Sequence, residues 1–194
     1  MTAGITRGTI TVKDILPEHL EACIEKLTET GMEIQKTDNS ITVCGDVSLK
    51  STRIKTGMYP AFATDFQQVA TALLLRARGR STITDLVYPK RFNHCLELRK
   101  MGAEISLKGG NAYITGNIQL TGAHVHASDI RAGACLILAG LAAEGTTCIT
   151  GVDQLERGYE DVISLFTTVG ADIKLREGAM EKSRVAEVLV VNKV

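Results

Sequence analysis

The chain has 194 residues, with 22 basic and 22 acidic side chains and no formal net charge. Zero net charge excludes a basic field that binds nucleic acid or membrane, so a few placed arginines must hold any anionic ligand. The longest apolar stretch, residues 132–143, is well short of the ~20 residues that span a membrane, and the first residues show no signal-peptide pattern. The composition therefore predicts a globular, cytosolic protein.

Cysteine and histidine patterns argue against a metal site. The five cysteines are scattered, contain no C-x-x-C pair and predict neither zinc binding nor a disulfide framework. His124 and His126 would share one face of a strand, and His94 is a third candidate ligand, but no acidic partner stands at ligand spacing. We therefore expect no metal.

An internal repeat organises the sequence. Three segments share a pair of glycines, each glycine following a helical stretch and preceding a β-branched run, with spacings of 23, 23 and 25 residues: Gly8 and Gly31, Gly79 and Gly102, Gly145 and Gly170. A period kept at three places is typical of a repeated structural unit. Each glycine is expected to take the left-handed conformation at a helix end. We predict repeat units over about 1–50, 51–118 and 119–178, followed by a C-terminal strand or tail over 179–194.

In chain order, the first unit reads as a strand over 9–12, a helix over 17–30 and a strand pair ending at 40–44. Apolar lead helices are expected over 65–78 and 129–144, and their composition predicts burial. The first unit has only seven residues before Gly8, so the chain is expected to begin inside its first repeat. The segment 184–194 reads as one more strand, which could occupy a sheet edge, with a disordered or appended tail as the alternative.

Polar residues recur at equivalent corners of the repeat. Arg91 and Arg157 each lie 12 residues after a repeat glycine, where a second helix begins. Asp65, Asp129 and Arg131 open the two lead helices. Helix N-termini attract anions, and arginines add bidentate contacts to carboxylate or phosphate, so these corners are expected to form one anion-binding rim. The alternatives are that the aspartates only cap helices, stabilising by ~1 kcal/mol, and that Arg91 and Arg157 are solvated surface residues in weak ion pairs.

Several motifs resemble the UDP-N-acetylglucosamine enolpyruvyl transferases. The first is Pro-Ala-Phe-Ala-Thr-Asp-Phe-Gln at 60–67, which is similar to the Pro-x-Phe-x-Thr-Asp-x-Gln segment of that family. It is followed, in order, by Lys-Arg-Phe-Asn-His at 90–94, Ala-Ser-Asp-Ile-Arg-Ala at 127–132 and Glu-Arg-Gly-Tyr-Glu at 156–160. The resemblance covers about residues 3–176, and the order of the motifs makes it specific.

The resemblance implies an inside-out α/β barrel domain, residues 1–194, of three βαβαββ-like units with the first truncated. It implies transfer of enolpyruvate from phosphoenolpyruvate to the 3-hydroxyl of UDP-N-acetylglucosamine, a cytoplasmic step of bacterial peptidoglycan biosynthesis that serves cell shape and division. No metal or organic cofactor is implied. The implied site residues are Asp65 (sugar hydroxyl, general base), Val87 (main-chain contact to the UDP-sugar), Arg91, Asp129 and Arg131 (cleft lining) and Arg157 (phosphoenolpyruvate side).

The family's first half has no counterpart in the sequence. Its mobile loop with a cysteine or aspartate, its lysine–asparagine pair and its uridine pocket are absent, and Tyr88 and Pro89 depart from residues common in relatives. We therefore predict that the chain alone is inactive or nearly so. The alternative is a non-catalytic half-protein that pairs with a partner domain or with itself.

Overall fold

A computed structural model describes residues 1–156, 158–181 and 184–193. The helices are α1 (Thr2–Thr6), α2 (Glu21–Glu29), α3 (Gln67–Leu74), α4 (Asn93–Lys100), α5 (Ile130–Ala142), α6 (Asp153–Glu156) and α7 (Val162–Thr168). The strands are β1 (Thr9–Lys13), β2 (Glu33–Lys36), β3 (Ser40–Cys44), β4 (Arg53–Lys55), β5 (Arg80–Thr84), β6 (Ile105–Lys108), β7 (Asn111–Thr115), β8 (His124–His126), β9 (Thr146–Thr150), β10 (Ile173–Glu181) and β11 (Arg184–Asn192). Short 3₁₀ turns, Pro17–Leu20 and Thr64–Phe66, precede α2 and α3.

The strands form three sheets of the same design, with orders β1-β3-β2, β4-β5-β7-β6 and β8-β9-β11-β10. In each sheet the strand after the repeat glycine pairs antiparallel with the second strand of a hairpin. The register is also the same, because the residue after the glycine pairs with the last residue of that hairpin strand: Thr9 with Cys44, Arg80 with Thr115 and Thr146 with Asn192.

Element order within the sheets confirms the predicted βαβαββ unit. In chain order the second repeat runs β4, α3, β5, α4, β6 and β7, and the third repeat follows the same order with the extra short helix α6 before α7. The first repeat begins with α1, and its sheet has no strand equivalent to β4 among the described residues.

The segment 184–194 was expected to form a strand, and β11 confirms this for Arg184–Asn192. The expectation of an edge position is wrong, since β11 lies between β9 and β10. Leu189 and Val191 on β11 are fully buried, so the strand is part of the core. The predicted boundary at 178 falls within β10, which pairs with β11 as a hairpin.

Both lead helices are buried, as their composition predicts. All residues from 132 to 141 of α5 are buried, and α3 buries seven of its eight residues. The glycines at 31, 79, 102, 145 and 170 take positive φ, as expected. The expectation fails at Gly8, because Arg7 takes the left-handed position (φ 59°) that ends α1.

The chain divides into two compact units, which are described separately. The first contains Met1–Phe92 and Glu104–Ile118, and its largest buried side chains include Leu73, Leu74, Ile83 and Ile114. The second contains Asn93–Ala103 and Gln119–Val194, with Leu98, Leu136, Ile137 and Ile149 in its core. A single domain over 1–194 stays a prediction. Nowhere in the described ranges is a helix both long and apolar enough to cross a membrane.

Candidate functional site

Asp65 and Arg91 lie together in the first compact unit. Asp65 belongs to the 3₁₀ turn before α3, and Arg91 lies two residues before α4. Arg91 Nη1 is 3.5 Å from Asp65 Oδ1. The side chain of Asp65 is 59% exposed and that of Arg91 is 21% exposed, so the aspartate is open to a ligand and the arginine is held. The position that caps this turn is Ala63, and α3 has no side-chain cap, so the alternative that Asp65 is an N-cap is wrong.

Two neighbours hold the guanidinium of Arg91 in addition to Asp65, and a third holds its main chain. Its Nη1 donates to Thr64 Oγ1 at 3.3 Å, and its Cζ lies 3.7 Å from the centroid of the Tyr88 ring. Gln67 Nε2 donates to the main-chain carbonyl of Arg91 at 3.4 Å. Arg91 is therefore held by its neighbours, and its 3.5 Å contact with the exposed Asp65 is also what a weak surface ion pair would show.

Val87 lies on the loop between β5 and α4, half-buried. Its N–H donates to Asp85 Oδ1 at 3.0 Å, and the N–H of Tyr88 donates to the same oxygen at 2.8 Å. A main-chain contact from Val87 to a ligand would therefore be made by its carbonyl oxygen.

Sequence reasoning assigned no role to Asp85, although the carboxylate anchors this loop. Asp85 is 1% exposed and follows β5 directly. Burial acts to raise its pKa, but hydrogen bonds from Tyr88 N–H, Thr64, Thr56 and Val87 N–H outweigh burial, so the pKa of Asp85 is lowered. An aspartate directly after a β-branched strand and before a turn is the signal that could have identified it.

In the second compact unit, Asp129 caps α5. Its Oδ1 accepts from the N–H groups of Arg131 and Ala132 at 2.9 and 3.1 Å, so Asp129 is an N-cap, and a role in ligand binding stays a prediction. Arg131 lies in the first turn of α5, half-buried. The cap does not exclude a ligand contact, because Asp129 is half-buried and its second carboxylate oxygen accepts only a long hydrogen bond, 3.4 Å, from Ser128 Oγ.

Tyr159 is a further residue near the start of α5. Burial raises the pKa of Tyr159, and the charge of Arg131 partly offsets that rise. Gly158 allows the chain before Tyr159 to lie close to the start of α5, since a Cβ at Gly158 would lie 1.8 Å from Ile130 Cδ1. Arg157, the remaining predicted site residue, lies outside the described residues.

Asp65, Val87 and Arg91 thus lie in one compact unit, while Asp129 and Arg131 lie in the other. Within each unit the predicted residues are neighbours: Asp65 contacts Arg91, and Asp129 accepts from the main chain of Arg131. A single rim shared by all of them stays a prediction.

The candidate metal ligands do not gather. Across the part of the chain that the structure describes, no group of three or more His, Cys, Asp or Glu side chains could hold a metal ion. His94 is 1% exposed, and burial lowers its pKa to about 4 while Asp129 opposes the change. A histidine that is neutral and enclosed in the core fits a packing role. The buried cysteines, Cys95 and Cys135, also lie in the core.

Known proteins are similar to this chain over most of its length. The UDP-N-acetylglucosamine 1-carboxyvinyltransferase of Streptococcus pneumoniae serotype 2 is 49% identical over 177 residues, which are 91% of this chain and 42% of that protein. UDP-N-acetylglucosamine 1-carboxyvinyltransferase 2 of Geobacillus kaustophilus is 44% identical over 173 residues, 89% of this chain and 40% of that protein. The chain thus spans about two fifths of the length of these relatives.

Solved structures show the fold. The enolpyruvyl transferase NikO from Streptomyces tendae superposes with a TM-score of 0.80 at 23% identity, covering 88% of this chain and 41% of that one. EPSP synthase from Acinetobacter baumannii gives a TM-score of 0.62 at 18% identity, covering 99% and 61%. The predicted α/β fold of the enolpyruvyl transferase type is therefore confirmed. Residues 1–180 match the family of EPSP synthase (3-phosphoshikimate 1-carboxyvinyltransferase), and the chain belongs to this family.

Proposed function

We propose that this chain supplies the C-terminal part of a UDP-N-acetylglucosamine enolpyruvyl transferase. The reaction moves the enolpyruvyl group of phosphoenolpyruvate to the sugar 3-hydroxyl and releases phosphate, as a cytoplasmic step of bacterial peptidoglycan biosynthesis. The observation that carries the proposal is 44–49% identity, over about nine tenths of the chain, to proteins named for this activity.

The geometry around Asp65 supports a role in binding the acceptor sugar. Its exposed carboxylate can accept a hydrogen bond from a hydroxyl, or take the proton of that hydroxyl, when the sugar lies within hydrogen-bond reach. Arg91, already held against Tyr88 and Thr64, presents a fixed positive charge beside it. The catalytic contribution of such a site is positioning and electrostatic stabilisation of an anionic donor, which calls for no metal or organic cofactor.

The other site residues fit the same proposal. Arg131 and Arg157 would bind phosphate or carboxylate groups of the substrates, and Asp129 would line the cleft through the oxygen that faces away from its cap. Val87 would contact the UDP-sugar through its carbonyl. Because the relatives are more than twice as long as the matched region, we propose that the remainder of the enzyme forms the opposite wall and excludes water.

The proposal is tested by phosphate release from both substrates. The chain alone should show little or no turnover, and robust turnover would refute its dependence on a second wall. Mixing with the unmatched segment of the Streptococcus pneumoniae relative should restore activity.

In that mixture Asp65→Asn should lower kcat by about 10²–10⁴-fold, the usual contribution of a general base. Asp38→Asn, at an exposed turn, is the control that should keep activity. Equal rates for the two variants would contradict the role of Asp65.

A second candidate, a non-catalytic half-protein that pairs with a partner domain, is favoured by the open edge of the first sheet. β4 pairs in parallel with β5, and β8 with β9, and Ile83 and Ile149 on these flanked strands are fully buried. Within the described residues β1 pairs only with β3, and Val12, at the equivalent position, is 48% exposed. We propose that a parallel strand with an apolar central residue, donated by the partner domain, pairs with β1.

Sedimentation separates the two candidates. Pairing without turnover, when the complementary segment is added, would support the non-catalytic candidate, and pairing with turnover supports the transferase. Val12→Asp should weaken pairing, because it places a charge at the contact. Val169→Asp changes an equally exposed valine in the other compact unit and should not affect pairing. A chain indifferent to the complementary segment would contradict pairing.

A further inference from the structure

The proposed roles leave unused a buried carboxylate behind the Asp65–Arg91 pair. Asp85 receives four hydrogen bonds, two from threonine hydroxyls and two from main-chain N–H groups. Thr56 Oγ1 donates to Oδ1 at 2.8 Å, and Thr64 Oγ1 donates to Oδ2 at 2.7 Å. The N–H groups of Val87 and Tyr88 complete the set at Oδ1. One side chain therefore joins β4's end, the turn that carries Asp65, and the loop that carries Tyr88.

The direction of these hydrogen bonds has a consequence for Arg91. An ionised carboxylate can only accept, so the proton of the Thr64 hydroxyl must point towards Asp85. The lone pairs of the Thr64 oxygen are then free to accept from Arg91 Nη1, at 3.3 Å. A guanidinium has no acceptor, so this polarity is the only one in which all three groups are satisfied. The relay runs from Arg91 through Thr64 to Asp85.

We propose that Asp85 is a positioning residue, which holds the Arg91 guanidinium beside Asp65 by fixing Thr64 as a hydrogen-bond acceptor. It also holds the Tyr88 main chain, and so sets the ring against which the guanidinium lies. The inference rests on the proposed function only in that Arg91 is taken to face the substrates.

Substitution of Asp85 by Asn keeps the shape but alters the relay. The amide oxygen can still accept from Thr56, Val87 and Tyr88 at the Oδ1 position. The amide nitrogen then faces Thr64 and donates, so two donors, Asn Nδ2 and Arg91 Nη1, compete for one hydroxyl oxygen. Asp85→Asn should therefore loosen Arg91 while it leaves the loop in place.

The first test is ligand-free NMR of the chain. In the wild type the Arg91 side-chain protons should be shifted upfield by the Tyr88 ring current, with Tyr88→Leu as the reference that has no ring. Asp85→Asn and Thr64→Val should both remove most of that shift, and Thr64→Ser should restore it. Thr56→Val is the matched control, because it removes a threonine hydroxyl from the same carboxylate but does not touch the relay. It also removes the acceptor of the Leu86 N–H, so a general loosening of the loop would appear in this variant.

Two outcomes would overturn the inference. If the upfield shift survives in Asp85→Asn and Thr64→Val, Arg91 does not depend on the relay. If Thr56→Val loses the shift to the same extent, the loop is merely loosened and Asp85 has no directed role. Thr64→Val alters a half-buried turn residue, so it keeps the test decisive even if the Asp85 variant fails to fold.

The second test uses the enzyme restored with its complementary segment. Thr64→Val and Asp85→Asn should each lower kcat/KM about tenfold, as expected for loss of one hydrogen bond to a charged group. The two losses should not add in the double variant, because both act through one contact. Additive losses would contradict the relay. If no mixture shows activity while the NMR results hold, the proposed function fails and the positioning role of Asp85 stands.

Discussion

The Cζ atom of Arg91 lies 3.7 Å from the centroid of the Tyr88 ring, so a loop residue three positions earlier supplies an aromatic face for this cation. The same loop is anchored through Asp85. The guanidinium is therefore oriented before any ligand arrives, which lowers the entropy that binding has to remove.

Replacing Tyr88 by Leu should destabilise the chain by about 0.5–1 kcal/mol, the size of a partly exposed cation–π contact. Tyr88→Phe keeps the ring face and should stay close to wild type. The measurement is the free energy of unfolding in urea for both variants. Equal losses for Leu and Phe would mean that the ring face contributes nothing.

Asp129→Ala should cost about 1 kcal/mol, because α5 loses its N-cap. Asp129→Asn keeps a good cap and should retain most of this stability. If Asp129 also lines the substrate cleft, the Asn variant should be stable but poorly active in the restored enzyme. Urea unfolding combined with phosphate release separates capping from binding. A fully active Asn variant would leave Asp129 with capping alone.

His94 should make stability depend on pH. Its pKa falls from 6.5 to about 4 in the folded chain, so between these values the unfolded chain takes up a proton that the folded chain refuses. Stability should therefore drop as the pH is lowered from about 6.5 to 4, by roughly 3 kcal/mol from this group.

The measurement for His94 is the urea unfolding free energy at several pH values. His94→Gln removes the titrating group and should flatten the profile in that window. His19→Gln, at an exposed histidine, is the control and should keep the wild-type slope. A profile unchanged by His94→Gln would show that His94 is not the titrating group.

Leu189 and Leu175 face each other across the β10–β11 hairpin but differ in burial. Leu189 is fully buried and Leu175 is 39% exposed. Leu189→Ala should cost about 2–5 kcal/mol, as for other core leucines, and Leu175→Ala should cost under about 1 kcal/mol. Unfolding in urea compares the two. Similar small losses would contradict a core role for β11.

Local patterns were sufficient for most of the fold. The apolar faces of α3 and α5 follow from residues within a few helical turns, and five glycines in the left-handed region follow from steric demands at single positions. The sequence pattern did not predict that Arg7, and not Gly8, takes the left-handed conformation at the end of α1, because either residue can end so short a helix. The interior position of β11 was also missed, since an alternating segment does not reveal which neighbours it pairs with.

By itself, the sequence determined the repeat and the order of elements within it. It also placed four polar residues at or just before the starts of helices: Asp65, Arg91, Asp129 and Arg131. Each of these results depends only on spacing along the chain. Only the tertiary structure decided that Asp85 is buried and that it receives the hydroxyls of Thr56 and Thr64 from 29 and 21 residues away. Such a site forms only when separate loops converge, since a carboxylate can leave water only where enough donors replace its hydration.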